Sequence, residues 1–222
     1  MAVKLVKPIN HKKVVKITNQ DFEAKMRELR VNSDIAVAVS GGPDSLALMH
    51  LSNRYALNNN INLTVLSIDH GIRAESSKEI VWLKKVAKKN KINFYSTKLK
   101  KKINSSNTLS KARTLRYEAL SKYCNKKKIK FLLTAHHLDD EIENFLMRLV
   151  RGSGIKGLSS LKVKSRYKNT KLILVRPLLE YSKKSLIQYL SEQKQSYLND
   201  RTNYNNKSVS YTHLRAHETR TH

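Results

Sequence analysis

Two short stretches carry residue types that could do chemistry. The first, Ser40-Gly41-Gly42-Pro43-Asp44-Ser45, joins the apolar run "DIAVAV" to a helix-like segment. Successive backbone N–H groups made available by paired glycines can form an anion nest, and a helix N-terminus adds a favourable dipole. Ser40 and Ser45 supply hydroxyls, while Pro43 suits a first helical turn, where its missing N–H costs little. Asp44 is the odd member. A carboxylate beside a polyphosphate is tolerable when it holds a divalent cation, so the loop predicts a phosphate site with Mg²⁺ on Asp44. No G-x-x-x-x-G-K-[ST] occurs, which excludes a Walker A loop. A capped strand-to-helix turn would use the same Gly-Gly-Pro-Asp without a ligand.

Glycine scarcity sharpens the signal. The chain has six glycines in 222 residues, where average usage would give roughly fifteen. They fall at Gly41 and Gly42, at Gly71, and at Gly152, Gly154 and Gly157.

The second stretch runs from His136 to Glu143, "HHLDDEIE". Beyond it, Ile142, Phe145, Leu146, Leu149 and Val150 recur at helical spacing and predict one buried stripe. Asp140 and Asn144 then lie on the opposite face, with Glu143 at its flank. Acids in a first turn also suit the helix dipole, so Asp139 and Asp140 have a capping reading beside a chemical one. Adjacent histidines on a strand point opposite ways, which weakens a metal site built from His136 and His137.

The elements that must position these stretches follow from periodicity. Apolar runs "DIAVAV", "NLTVLSI", "INFYST", "KFLLTA" and "KLILV" have strand length and polar boundaries. Helix-length segments lie between them at 44–58, 75–90, 107–128 and 139–151, with another at 182–194. Alternation of this kind predicts an α/β fold, a doubly wound, five-stranded parallel sheet of Rossmann-like type, with strand order 3-2-1-4-5. In that order the glycine loop and the His-His-acid stretch face each other across the switch point between strands 1 and 4. Residues 1–30 read as a basic arm and a short helix capped by Asn19 or Asp21; 31–207 form the main domain.

Three further loops complete the constellation. Strand 2 runs into "SIDHGIR", where Asp69 and Gly71 are placed to meet the adenine and ribose of a nucleotide bound over strand 1; a simple turn is the alternative. "ARTLRY" puts Arg113 and Arg116 on one helix face, and guanidinium forks suit phosphate, though a snorkelling surface pair is also consistent. "RGSGIKGL" spells G-x-G-x-x-G, but it follows a helix, whereas the dinucleotide fingerprint follows a strand. With Arg148, Arg151 and Lys156 around it, that loop fits approach to an RNA backbone, or a C-cap and turn.

Composition sets the partner class and the compartment. Lys+Arg 44 against Asp+Glu 17 gives a formal charge of +27, which attracts polyanions and makes nucleic acid the leading partner. The one cysteine, Cys124, excludes a disulfide framework within these residues and any paired-cysteine redox motif. No apolar run approaches the roughly 20 residues of a membrane span, and lysines interrupt every would-be signal core, so the expectation is a soluble, cytoplasmic protein.

The loop "SGGPDS" after a strand resembles the S-G-G-x-D-S loop of the N-type ATP pyrophosphatases, or PP-loop enzymes, which split ATP between its α and β phosphates. Within that superfamily the chain resembles the tRNA(Ile)-lysidine synthetases. The matching stretches are "SGGPDSLAL", "IDHGIR", "ARTLRYEAL", "AHHLDDEIENFLMRLVRGSGIKGL" and "RPLLEYSKKSLIQYL", in the family's order, over about residues 33–207. Glu141 stands where glutamine is usual, and Asn144 where threonine is common.

The resemblance implies a ligase. ATP, with Mg²⁺, adenylates C2 of the wobble cytidine in the CAU anticodon of tRNA(Ile), and free L-lysine then displaces AMP. It implies that Ser40, Gly41, Gly42, Pro43, Asp44 and Ser45 hold ATP together with Asp69, Gly71 and His136. Asp44, Arg113, Asp140 and Glu143 become the catalytic set, Arg113 at the α phosphate and the two acids at the incoming amine. Arg148, Arg151 and Lys156 become RNA contacts. Two other readings stay open. A tRNA 2-thiolating enzyme would share the loop but normally needs paired cysteines, and a non-catalytic ATP- or RNA-binding module would leave Asp140 and Glu143 without a task.

After Lys207 the compositional bias changes. Residues 210–222 contain no lysine, isoleucine or asparagine, and three of the eight histidines, His213, His217 and His222, sit there. Residues 208–222 read as a non-native tail.

Overall fold

The computed structural model describes residues 15–69, 76–98, 108–150 and 161–198. Gly71, Arg151, Lys156 and the segment 208–222 lie outside the described residues.

Helix α1 (Asn19–Glu28) begins with a full capping box: the Thr18 side chain accepts from the Asp21 N–H, and the Asp21 carboxylate accepts from the Thr18 N–H. The cap is thus Thr18, not Asn19 or Asp21. A threonine hydroxyl reaches the N3 amide while an acid at N3 answers it, which satisfies two orphan donors at once. Then come β1 (Ile35–Ala38), α2 (Pro43–Asn58), β2 (Leu63–Asp69), α3 (Ser76–Lys89) and β3 (Asn93–Lys98). The second half holds α4 (Thr108–Lys126), β4 (Phe131–Leu133), α5 (Leu138–Val150), β5 (Lys164–Arg166), β6 (Ile173–Val175) and α6 (Lys183–Glu192).

The sheet order is β3-β2-β1-β4-β6-β5. Its first five strands are parallel and realise the 3-2-1-4-5 arrangement, "KLILV" supplying the fifth as β6. Among the described residues the sheet has six strands rather than five, because β5 pairs antiparallel with β6 at the edge. That strand reads Lys-Ser-Arg, with no apolar alternation to announce it; a three-residue edge strand is held by its ladder, not by a buried face.

β1 lies at the centre, with Ile35, Ala36 and Val37 fully buried, as expected of a parallel strand covered on both faces. On one face it meets the large core, to which α1 contributes Phe22 and Met26, α2 Leu46, Leu48 and Met49, α3 Leu83, and α6 Leu186 and Leu190. On the other face Leu120 and Cys124 of α4 pack against Ala36, Leu66, Leu132 and Leu174. Two helical layers therefore pin β1 and β4 side by side, and with them the loops at their carboxyl ends.

Helix α5 departs from expectation. Ile142, Phe145, Leu146, Leu149 and Val150 form the expected stripe, but none is buried. Periodicity specifies that a helix has an apolar face; it does not supply the element that covers it.

Candidate nucleotide site

The loop after β1 is organised from within by Ser45. Its hydroxyl oxygen accepts from the backbone N–H groups of Ser40 and Gly41, both at 3.2 Å, and donates to the Gly42 carbonyl at 3.0 Å. Gly41 has φ +96°, a conformation L side chains rarely adopt, so glycine is required there by backbone geometry. Gly42 is different. It caps α2 with extended backbone, and among the described residues a Cβ built on it would find only the Ser40 hydroxyl, at 3.9 Å. The described residues thus give no steric reason for glycine at position 42. Pro43 opens the helix, and the first turn-closing bond is Leu46 N–H to Gly42 O, at 3.1 Å. The amides of Asp44 and Ser45 precede it, at the positive end of the dipole.

Across the switch point, the sequence left His137 without a task, and the structure gives it the central place. Its ring is buried, with Nε2 3.6 Å from Oδ2 of both Asp44 and Asp140, and Nδ1 3.5 Å from Asp139 Oδ2. These are ion-pair distances rather than short hydrogen bonds. Burial is the largest single influence and disfavours the imidazolium, but Asp44, Asp140 and Asp139 together outweigh it and raise the pKa above 6.5. Asp44 thus shares an imidazole with the acids of α5. Its other oxygen, Oδ1, is buried and accepts no hydrogen bond among the described residues. A buried carboxylate oxygen left unpaired is what a hard divalent cation would take up, so the residues fit Mg²⁺ at Asp44.

Asp140 carries both readings raised by the sequence. Its Oδ2 accepts from the His137 N–H at 3.0 Å, a carboxylate at N3 reaching back to the residue before α5. Asn144 donates to the Asp140 carbonyl at 2.8 Å, on the same face. Glu143 is exposed, one position before Asn144. Arg148 is half-buried farther along the helix.

His136 belongs to a different neighbourhood. Its Nδ1 meets Thr134 Oγ1 at 3.0 Å, and its Nε2 lies 3.5 Å from Nη2 of Arg113. Burial first, then the positive charges of Arg176, Arg113, His137 and Arg116, push its pKa down to about 4. The two adjacent histidines thus serve opposite electrostatic environments, one acidic and one basic. Arg113 also lies over the Tyr117 ring, 5.9 Å from its centroid. Asp69 ends β2 half-buried, in register with Lys98 of β3.

Two more residues escaped sequence reasoning. Lys183 occupies the first turn of α6, where a cation opposes the helix dipole; its Nζ is 3.9 Å from Asp44 Oδ2, and its N–H donates to Asp139 Oδ2 at 2.7 Å. Arg176 follows β6 and is buried, donating to the Lys162 carbonyl at 2.8 Å and lying 3.2 Å from Ser165 Oγ. The signals were available: a basic residue at a helix start, and an arginine directly after an apolar strand. The structure therefore gathers Ser40 to Ser45, Asp140 and the missed His137 and Lys183 at one end of the sheet, with His136, Arg113 and Arg176 in an adjoining basic corner.

A family model described as a PP-loop domain matches residues 11–217. A tRNA(Ile)-lysidine synthase from Rickettsia bellii is 44% identical over 175 residues, covering 79% of this chain and 40% of the relative. One from Rickettsia typhi is 39% identical over 191 residues, covering 85% and 44%. The chain thus spans less than half the length of these curated relatives. Among solved structures, the U34-tRNA thiolase NcsA from Methanococcus maripaludis, with its [4Fe-4S] cluster, matches with TM-score 0.68 and 22% identity over 81% of this chain and 65% of that one, a likeness of fold.

Proposed function

The chain belongs to the PP-loop domain family, and from that premise we propose that it is the ATP-binding, catalytic portion of a tRNA(Ile)-lysidine synthetase. The observation that carries the proposal is the Asp44–His137–Asp140 junction across the switch point, with Asp44 Oδ1 buried and, among the described residues, unpaired beside the glycine loop. The names of the relatives from Rickettsia bellii and Rickettsia typhi support the same substrate class.

In this reading the C2 oxygen of the wobble cytidine attacks the α phosphorus of ATP, and pyrophosphate leaves into the loop of residues 40–45. The amides of Gly42, Asp44 and Ser45 stabilise the charge that develops on it. Magnesium held by Asp44 would supply further charge neutralisation at the leaving group. Arg113 sits in the basic corner that suits the α phosphate. The lysine ε-amine then attacks C2, and AMP departs with the former C2 oxygen. Free lysine arrives as an ammonium, so Asp140 and Glu143 hold it, and a carboxylate accepts the proton it must lose before attack. His137 keeps Asp44 and Asp140 close without their mutual repulsion. The tRNA is met by the strongly basic surface, +27 formally, with Arg148 at the α5 side.

A thiolating reading fares less well. The sole cysteine, Cys124, is buried in α4, and burial pushes its thiol up to about 12, far from the thiolate that sulfur transfer requires. Pyrophosphate release measured with tRNA(Ile) bearing the CAU anticodon, with and without lysine, tests the proposal. Release coupled to incorporation of labelled lysine into tRNA is expected; adenylation followed by no lysine transfer at any lysine concentration would sink it.

A further inference from the structure

The segment after α6 returns to the glycine loop. Gln195 N–H bonds to the Leu190 carbonyl as the helix ends, and three residues later the Leu198 N–H donates to the Gly41 carbonyl at 2.9 Å. The Leu198 side chain lies against the Cα of Gly41: a Cβ built there would stand 2.6 Å from Leu198 Cδ1 and 3.3 Å from Cγ. Gly41 is the residue with φ +96°, so the strap bears on the point where the loop backbone is least typical.

The loop is thus fixed from two sides. Ser45 ties the N–H groups of Ser40 and Gly41 from inside the turn, and Leu198 ties the Gly41 carbonyl from outside it. Fixing that carbonyl fixes the plane of the 41–42 peptide, and with it the direction of the Gly42 N–H. Hydrogen-bond donors that need no reorganisation bind a charged ligand more tightly than donors that must first be ordered.

We propose that Leu198 is a positioning residue for ATP: its side chain, packed on Gly41, keeps its own N–H on the Gly41 carbonyl and so holds the Gly41–Gly42 peptide in its phosphate-binding orientation without touching the nucleotide. The proposal rests on reading the glycine loop as the ATP site, but not on the identity of the acceptor. Leu198 is half-buried and belongs to neither core cluster, so its replacement leaves the fold standing.

The test is equilibrium binding of ATP with Mg²⁺ by calorimetry, without tRNA or lysine, for the whole chain and its Leu198→Ala and Leu198→Met variants. Leu198→Ala should weaken ATP about tenfold by loss of preorganisation, with Leu198→Met within about twofold of the parent because the thioether side chain refills the contact. Thermal midpoints should stay together. Unchanged affinity in Leu198→Ala, or a loss that tracks a fallen midpoint, overturns the proposal. In the parent chain, ATP should also slow hydrogen exchange at the Leu198 amide; unaltered exchange on saturation counts equally against it. These readouts separate the inference from the lysidine reading, which fails on lysine transfer alone.

Discussion

His137 Nε2 stands 3.6 Å from Asp44 Oδ2 and 3.6 Å from Asp140 Oδ2, joining a carboxylate that follows β1 to one that follows β4. The buried ring thus couples the two carboxylates electrostatically.

Replacing Asp44 by asparagine should therefore act in two places. Pyrophosphate release should fall by about a hundredfold or more, the scale on which charge stabilisation at a leaving group acts. The His137 pKa should also move down, because the Asp44 contribution that raises it is gone. Rate measurements and an NMR titration of the imidazole read the two effects independently, and a normal rate in Asp44→Asn would remove the carboxylate from the mechanism.

Asp140→Asn separates capping from chemistry. The asparagine oxygen can still accept the His137 N–H, so stability should change by less than about 1 kcal/mol, while lysine incorporation should be abolished. Chemical denaturation and a lysine-incorporation assay check the pair. If the variant incorporates lysine at the parent rate, Asp140 is a cap and nothing more.

The two histidines predict a stability maximum near neutral pH. His136 is held down to about 4 by burial and its arginine neighbours. Between that value and 6.5 the unfolded chain binds the proton more readily than the folded one, so stability falls as pH drops through this window, by at most about 3 kcal/mol. His137 runs the other way. Its raised pKa contributes stability fully below the unfolded value of 6.5, and that contribution is lost as pH rises through the folded pKa. Urea denaturation across pH 4–9 should show both limbs, with His136→Gln flattening only the acid one.

The site was legible in the sequence where chemistry and backbone coincide. Gly41 and Gly42, Asp44 between proline and serine, and the acid run after a strand could be placed across one switch point, because parallel α/β topology brings strand ends together whatever their spacing in the chain. His137 and Lys183 were not legible as site residues, since their roles depend on which carboxylates arrive from elsewhere. The stripe on α5 was seen and wrongly buried. A helical period reports amphipathicity, whereas burial belongs to whatever packs on it.

That correction is measurable. Phe145→Ala should shift stability by less than about 1 kcal/mol, as expected of a side chain 45% exposed, whereas Phe131→Ala, 1% exposed in β4, should cost about 3–5 kcal/mol. Equal costs would mean that the α5 face is covered in solution.

The antiparallel strand β5 forms one of the two edges of the sheet. An open strand edge is a template for another chain's backbone, and β5 ends the sheet after three residues, Lys164, Ser165 and Arg166. Lys164 reaches back to the Leu29 carbonyl and stands over the Phe131 ring, while Arg166 stays exposed. A neighbouring copy seeking to extend the sheet would have to bring its own cations beside these. At this edge of the six-stranded sheet, brevity and like charge therefore oppose strand-to-strand addition, whereas the opposite edge, β3, offers six residues, Asn93–Lys98.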